Sequence, residues 1–106
     1  MTTHEEVVCQ VDDIAPGAAR KFVVGRHPVC VVRIGDDFYA IGDVCSHADF
    51  SLSEGEVFPD ELEIECWKHG STFSLETGEP QSLPATKSVP VYDVKVGDGD
   101  VVVTVR

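Results

Sequence analysis

Short apolar segments, some of which alternate with polar residues, run through most of the chain. A period of two is typical of β-strands that bury one face, and the segments are rich in valine, which favours strands. No apolar pattern of helical period extends beyond about 10 residues. Alternation predicts strands over residues 62–66 and 91–96, and short apolar runs bounded by turn residues predict strands over residues 7–11, 21–24, 28–34, 38–41, 72–75 and 101–105.

Turn-forming residues separate these segments. Gly35-Asp36-Asp37 and Gly97-Asp98-Gly99-Asp100 each stand between two predicted strands, which is a hairpin signal. Residues 12–19, 77–80 and 81–90 carry glycine or proline and predict a loop, a turn and an irregular connection. Neighbouring strands are therefore expected to pair antiparallel.

The strand pattern breaks over residues 42–56, which contain two glycines and no period of two. We predict an all-β fold, an antiparallel β sandwich or barrel with an inserted lobe at about residues 42–73. A chain of 106 residues is expected to form a single domain over residues 1–106.

The charge narrows the choice of partners. Nineteen acidic residues against eight Lys and Arg give a formal charge of −11. Nucleic acid and anionic membrane surfaces are excluded as partners, because both need a basic face. The acidity is compatible with simple solvation and with docking to a basic partner, and the composition does not decide between them.

The sequence predicts a soluble, cytoplasmic protein. The first 20 residues hold four acids and no apolar run, so they predict neither a secretory nor a twin-arginine signal. No stretch approaches the roughly 20 apolar residues of a membrane helix. Four cysteines are compatible with two disulfides, but metal binding is the better interpretation in a cytoplasmic chain.

Two short motifs carry the chemistry. Cys45-Ser46-His47 and Cys66-Trp67-Lys68-His69 each place a thiol and an imidazole on one loop, with eighteen residues between His47 and Cys66. Two sulfur and two nitrogen donors suit zinc or an iron–sulfur cluster. Zinc pairs commonly have two to four residues between ligands, whereas one residue separates the first pair here. A two-iron cluster would avoid that difficulty, because two metal ions could each take one ligand from each loop.

The double motif resembles that of the Rieske proteins, which hold a [2Fe-2S] cluster with two cysteines and two histidines. The resemblance covers about residues 7–105. It implies that Cys45 and Cys66 bind one iron and that His47 and His69 bind the other. It also implies a fold of three antiparallel sheets with the cluster at one tip.

The residues around the motif extend the resemblance. Ser71 matches the position whose hydroxyl donates to a bridging sulfide, and Pro84 in Leu83-Pro84-Ala85 matches the proline loop against the cluster. Phe73 stands where high-potential members carry a tyrosine. Phe50 and Lys68 stand where those members have two further cysteines that bridge the loops. These departures indicate the dioxygenase-type ferredoxins.

The resemblance implies a one-electron carrier that passes electrons from a flavin reductase to a terminal oxygenase. No catalytic residue is assigned, because the chain is too short to hold the oxygenase's own catalytic domain; the carrier is expected to be an electron-transfer component and a monomer. The alternatives are an accessory or redox-sensing protein linked to iron–sulfur cluster assembly, and a zinc module. Cys9 and Cys30 are interpreted as small core residues, and Trp67 and Phe50 as packing or docking residues beside the ligands.

Overall fold

The computed structural model describes residues 4–45, 50–67, 70–83, 85 and 87–105. These contain nine β-strands and two 3₁₀ turns, Val11–Asp13 and Leu52–Glu54. The strands are β1 (His4–Gln10), β2 (Ala19–Val24), β3 (His27–Ile34), β4 (Asp37–Gly42), β5 (Val57–Phe58), β6 (Glu63–Glu65), β7 (Thr72–Ser74), β8 (Val91–Gly97) and β9 (Asp100–Val105).

Six strands form the main sheet in the order β1-β9-β8-β4-β3-β2, and every pair in it is antiparallel. Its edge strands β1 and β2 lie close together, so the sheet nearly closes on itself. β8 joins β4 through only two residue pairs, Ala40 with Tyr92 and Ile41 with Val91. This short junction joins what would otherwise be two sheets, so the structure has two sheets where the resemblance implied three.

A second, three-stranded sheet has the order β5-β6-β7 and lies within the predicted lobe. Ile64 in its central strand pairs with Val57 on one side and with Phe73 on the other. The all-β fold with an inserted lobe is therefore confirmed.

Apolar side chains form two cores. One is enclosed by the main sheet and is rich in valine, with Val31, Val101 and Val103 fully buried. The other lies between the main sheet and the lobe, and joins Ile41 to Ile64 and Phe73. The second core fixes the lobe against the main sheet.

The eight predicted strands are all present, with ends shifted by a few residues. β6 begins at Glu63 because Leu62 takes a left-handed conformation with φ 54°. It ends before Cys66, whose N–H bonds to the carbonyl oxygen of Ser71. β5 was not predicted, since two half-buried residues show no period. In the described part of the chain, no helix is both long and apolar enough to span a bilayer.

Candidate metal centre

A tight hairpin carries the first motif. The N–H of Cys45 donates to the carbonyl oxygen of Phe50 at 2.9 Å, and the N–H of Leu52 donates to that of Asp43 at 2.6 Å. Val44 and Ser51 form a β-bridge between these two bonds. In sequence, residues 46–49 lie between the two arms, so the hairpin fixes both ends of the segment that contains His47.

The second motif follows β6 and is closed in the same way. The N–H of Cys66 donates to the carbonyl oxygen of Ser71 at 2.7 Å, and Gly70 N–H donates back to the Cys66 carbonyl oxygen at 2.9 Å. Gly70 has φ 78°, a conformation that glycine adopts without strain. Each cysteine thus donates its N–H to the residue five positions later, and each loop has four residues between the bonded pair. The unequal Cys–His spacings are set in loops of equal size.

Both cysteine side chains are buried, Cys45 at 2% and Cys66 at 0% exposure, in the core that joins lobe and main sheet. All four cysteines of the chain lie in the described ranges, and none is in a disulfide. A thiolate in such surroundings needs a cationic partner to offset its loss of hydration. Two buried thiols on matched loops therefore fit the sulfur half of an iron–sulfur site.

Ser71 is fully buried beside this pair of loops. Its Oγ accepts the N–H of Ala85 at 3.0 Å, which ties the second loop to the segment that follows Leu83. Among the described residues the hydroxyl proton has no acceptor. A hydroxyl whose oxygen is already used as an acceptor can donate that proton to a cluster sulfide.

Aromatic rings connect the two loops. Phe50, at the end of the first hairpin, and Trp67, which follows Cys66, pack edge to face with ring centroids 5.1 Å apart. Trp67 is 48% exposed, whereas Phe50 is half-buried against the core below it. The pair joins Phe50 at the end of the first loop to Trp67 at the start of the second, and Trp67 presents an apolar edge to solvent.

Four of the remaining residues singled out in the sequence lie outside the part of the chain that the structure describes. They are His47, His69, Pro84 and Lys68. Within the described ranges, no group of three or more metal-binding side chains is found. The structure thus places two of the four predicted ligands, together with Ser71.

Cys9 lies in β1 and Cys30 in β3, both distant from the motifs in sequence, but Cys30 shares one buried core with Cys45 and Cys66. Cys30 is fully buried, and its burial, reinforced by the charge of Asp43, raises the pKa of its thiol. Cys9 is only half-buried, and partial desolvation followed by the charge of Asp13 raises its pKa. The interpretation of a core residue fits Cys30 better than Cys9.

Two features of the site were not predicted. Asp43 is buried at 1% exposure and bonds to Ser51 and Ser53 across the first hairpin. Gly55 lies so close to the backbone of Glu65 that a Cβ atom would stand 1.5 Å from its carbonyl oxygen. Asp43 could have been suspected from its place two residues before Cys45, but Gly55 depends on a contact between distant segments.

The charge is concentrated around these loops. Residues 42–80 contain ten acids and one base, Lys68, a net charge of −9 out of the total of −11. Six of the acids are exposed: Glu54, Glu56, Asp60, Glu61, Glu76 and Glu79. The acidity therefore belongs mainly to the lobe and its surroundings.

Comparison with known proteins agrees with the resemblance that the two motifs carry. The family described as Rieske [2Fe-2S] domain matches residues 4–93. Ferredoxin CarAc of Metapseudomonas resinovorans is 44% identical over 97 residues, which cover 91% of this chain and 89% of that protein. The ferredoxin of carbazole 1,9a-dioxygenase from Nocardioides aromaticivorans IC177 superposes with a TM-score of 0.92 at 39% identity, over 94% of this chain and 96% of that one.

A further solved structure holds a similar chain together with a partner. It is described as a complex of reduced oxygenase and oxidized ferredoxin in carbazole 1,9a-dioxygenase. The matching chain has a TM-score of 0.85 at 43% identity, over 93% of this chain and 91% of that one. The similarity therefore extends along almost the whole length of the chains compared.

Proposed function

Because this chain belongs to the Rieske [2Fe-2S] domain family, we propose that Cys45 and Cys66 bind one iron of its cluster and that His47 and His69 bind the other. The observation that carries this assignment is the pair of matched loops, each closed by an N–H···O bond from a buried cysteine. Two thiolates balance the charge of two ferric ions and two sulfides when both histidines are neutral. With these ligands the cluster would supply a one-electron acceptor of higher potential than an all-cysteine centre.

The chain is an electron carrier, as predicted, and not the catalytic component. Its relatives are ferredoxins of dioxygenase systems, and they match it nearly end to end. The alternative of a protein linked to cluster assembly is not favoured by these similarities. A structural zinc module is likewise disfavoured by the family match.

We infer that its partners are a flavin reductase, which supplies the electron, and a terminal oxygenase of the ring-hydroxylating type, which receives it. Support comes from the similar ferredoxin that is seen in complex with its oxygenase. The exposed edge of Trp67 and the acidic lobe offer an apolar contact with a charged surround. Such a surface suits a brief encounter with a basic partner.

Four further assignments belong to this proposal. The Ser71 hydroxyl would donate its proton to a sulfide of the cluster while its oxygen accepts the N–H of Ala85, and Pro84 would stiffen the segment that follows Leu83. The protein works as a monomer. It resides in the cytoplasm, where the absence of disulfides among its four cysteines fits a reducing environment.

Metal analysis with ligand variants tests the site. Wild-type protein should contain two irons and two acid-labile sulfides per chain and be red-brown. His47→Ala or His69→Ala should lose the cluster or hold it weakly, whereas Cys30→Ser, a matched control at a buried thiol, should keep the absorption spectrum. Stoichiometric zinc without sulfide would contradict the proposal, as would loss of the spectrum in a folded Cys30→Ser protein.

Electron transfer is tested separately with a flavin reductase and a ring-hydroxylating oxygenase from the same organism, taken first from the neighbouring genes. The reduced protein should reoxidise when the oxygenase is added, at a rate that rises with oxygenase concentration. Neighbouring genes for cluster assembly, together with no electron transfer to any oxygenase, would contradict the carrier role.

A further inference from the structure

A buried carboxylate lies at the base of the first motif loop. Asp43 is 1% exposed, and both of its carboxylate oxygens are used. Oδ2 accepts the hydroxyl of Ser51 at 2.5 Å, and Oδ1 accepts the backbone N–H of Ser53 at 3.0 Å. The two serine hydroxyls also bond to each other at 2.7 Å. The side chain of Asp43 therefore spans from one arm of the hairpin to the turn beyond the other arm.

The backbone of the same residue connects the hairpin to the main sheet. Its N–H donates to the carbonyl oxygen of Pro28 in β3 at 3.0 Å, and its carbonyl oxygen accepts from Leu52 at 2.6 Å. Asp43 thus meets three parts of the chain: the main sheet, the second arm of the hairpin and the 3₁₀ turn Leu52–Glu54. Cys45, two residues on, is held relative to all of them.

The Asp43 carboxylate accepts a hydrogen bond at the N-terminal end of the 3₁₀ turn Leu52–Glu54. Ser51 is at the N-cap position of Leu52–Glu54, but its side chain makes no capping bond there. Instead the N–H of Ser53 donates to Asp43, which occupies the place of a cap from eight or more residues away. Loss of the carboxylate would leave this N–H and two hydroxyls to rearrange in a confined space.

We propose that Asp43 is a positioning residue for the cluster, which fixes the Cys45 end of the first loop through its hydrogen bonds and not through its charge. The proposal rests on the ligand set given above. A negative charge beside an electron acceptor opposes reduction, so charge alone gives no reason for a carboxylate here. The two hydrogen bonds that the carboxylate accepts do give a reason, because the bonds from Ser51 and Ser53 set the separation of the hairpin arms.

Four variants of the holoprotein test the proposal. Asp43→Ala removes both bonds, and Ser51→Ala removes one. Asp43→Asn removes the charge but can keep the geometry, since its amide oxygen accepts from Ser53 and its NH₂ group donates to the Ser51 hydroxyl. Asp60→Ala is the matched control: it removes the same charge from an exposed position in the same lobe.

Three measurements report on the loop: the rate of cluster release to an iron chelator, followed by visible absorbance; the EPR g-values of the reduced cluster; and hydrogen–deuterium exchange of residues 50–54. We expect Asp43→Ala to speed release by about tenfold or more, equivalent to about 1.4 kcal/mol. It should also shift the g-values and raise exchange. Ser51→Ala should be intermediate, and Asp43→Asn and Asp60→Ala should stay within about threefold of wild type.

Several results would overturn the proposal. One is an Asp43→Asn protein as labile as Asp43→Ala, which would mean that the charge acts. Another is an Asp43→Ala protein that releases its cluster at the wild-type rate and has wild-type EPR g-values. If Asp43→Ala fails to fold, the same result in Ser51→Ala would overturn the proposal. Cys45→Ser tests the ligand set independently: a normal spectrum in that variant would contradict the proposed function itself, whatever the Asp43 variants do.

Discussion

Substitution of Gly55 by alanine should damage the site although this glycine has an ordinary backbone conformation. Gly55 has φ −87° and ψ 177°, which any residue adopts. A Cβ atom there would stand 1.5 Å from the carbonyl oxygen of Glu65 and 3.3 Å from that of Leu52. Real Cβ atoms essentially never come within 3.0 Å of such an oxygen, so one backbone has to move by about 1.5 Å.

The size of the effect follows from what this movement disturbs. Glu65 precedes Cys66, and its N–H donates to the carbonyl oxygen of Glu56 at 2.8 Å. Overpacking typically costs about 1–3 kcal/mol, and loss of that hydrogen bond adds about 1 kcal/mol. We therefore expect Gly55→Ala to lower the free energy of unfolding by about 2–4 kcal/mol. For a domain of this size that corresponds to a fall of roughly 10–20 °C in Tm.

Gly97→Ala is the matched control. Gly97 also has no positive φ, but a Cβ atom there would meet nothing within 4 Å. Alanine should be neutral or slightly stabilising at this end of β8, because glycine loses more backbone entropy on folding. The assay is thermal unfolding of both holoproteins at one scan rate, followed by far-UV circular dichroism and by cluster absorbance. A Gly55→Ala protein within about 2 °C of wild type by both signals would refute the reasoning.

Three further predictions concern the site and its surface. The rate of reduction by a reductase should change strongly with ionic strength, since screening shortens to about 8 Å at physiological salt; a rate indifferent to salt would mean that the charge serves solubility only. Protein-film voltammetry should give a potential in the bottom third of the Rieske range of about −150 to +300 mV. It should fall in Ser71→Ala and rise in Phe73→Tyr, and an unchanged potential in Ser71→Ala would contradict the hydrogen bond to sulfide. Iodoacetamide at pH 8 should modify Cys9 of the native holoprotein well before Cys30, because burial raises the pKa of the Cys30 thiol far more and closes access to it; mass spectrometry showing equal rates would contradict the burial of Cys30.

The sequence was sufficient for the strands of the main sheet, because alternation and turn residues act locally. Gly35 and Gly99, for example, both adopt positive φ at the hairpin turns where they were expected. The motif likewise predicted Cys45 and Cys66 as ligands, since metal-ligand spacing is a property of neighbouring residues, and the structure buries both on loops of equal size. The union of the strands into one six-stranded sheet was not predictable, because it rests on two residue pairs between β4 and β8.

The contacts that hold the lobe in place could not be predicted from the sequence. The position of Asp43 two residues before Cys45 is visible in the sequence, but its burial and its hydrogen bonds to Ser51 and Ser53 are not. Gly55, which follows the 3₁₀ turn, is required by the close approach of Glu65, ten residues away in β6. Contacts of this kind arise from tertiary packing and leave no period in the chain.

The uneven placement of charge gives the molecule a direction. With −9 on residues 42–80 and −2 on the rest of the chain, the centre of negative charge is displaced from the main sheet toward the lobe. In the field of a basic partner such a particle experiences a torque as well as an attraction, so it turns its lobe forward before the surfaces touch. A larger fraction of collisions then occurs in an orientation that allows binding. A partner that receives electrons and one that supplies them would both be met by the same leading face, so the two would have to take turns.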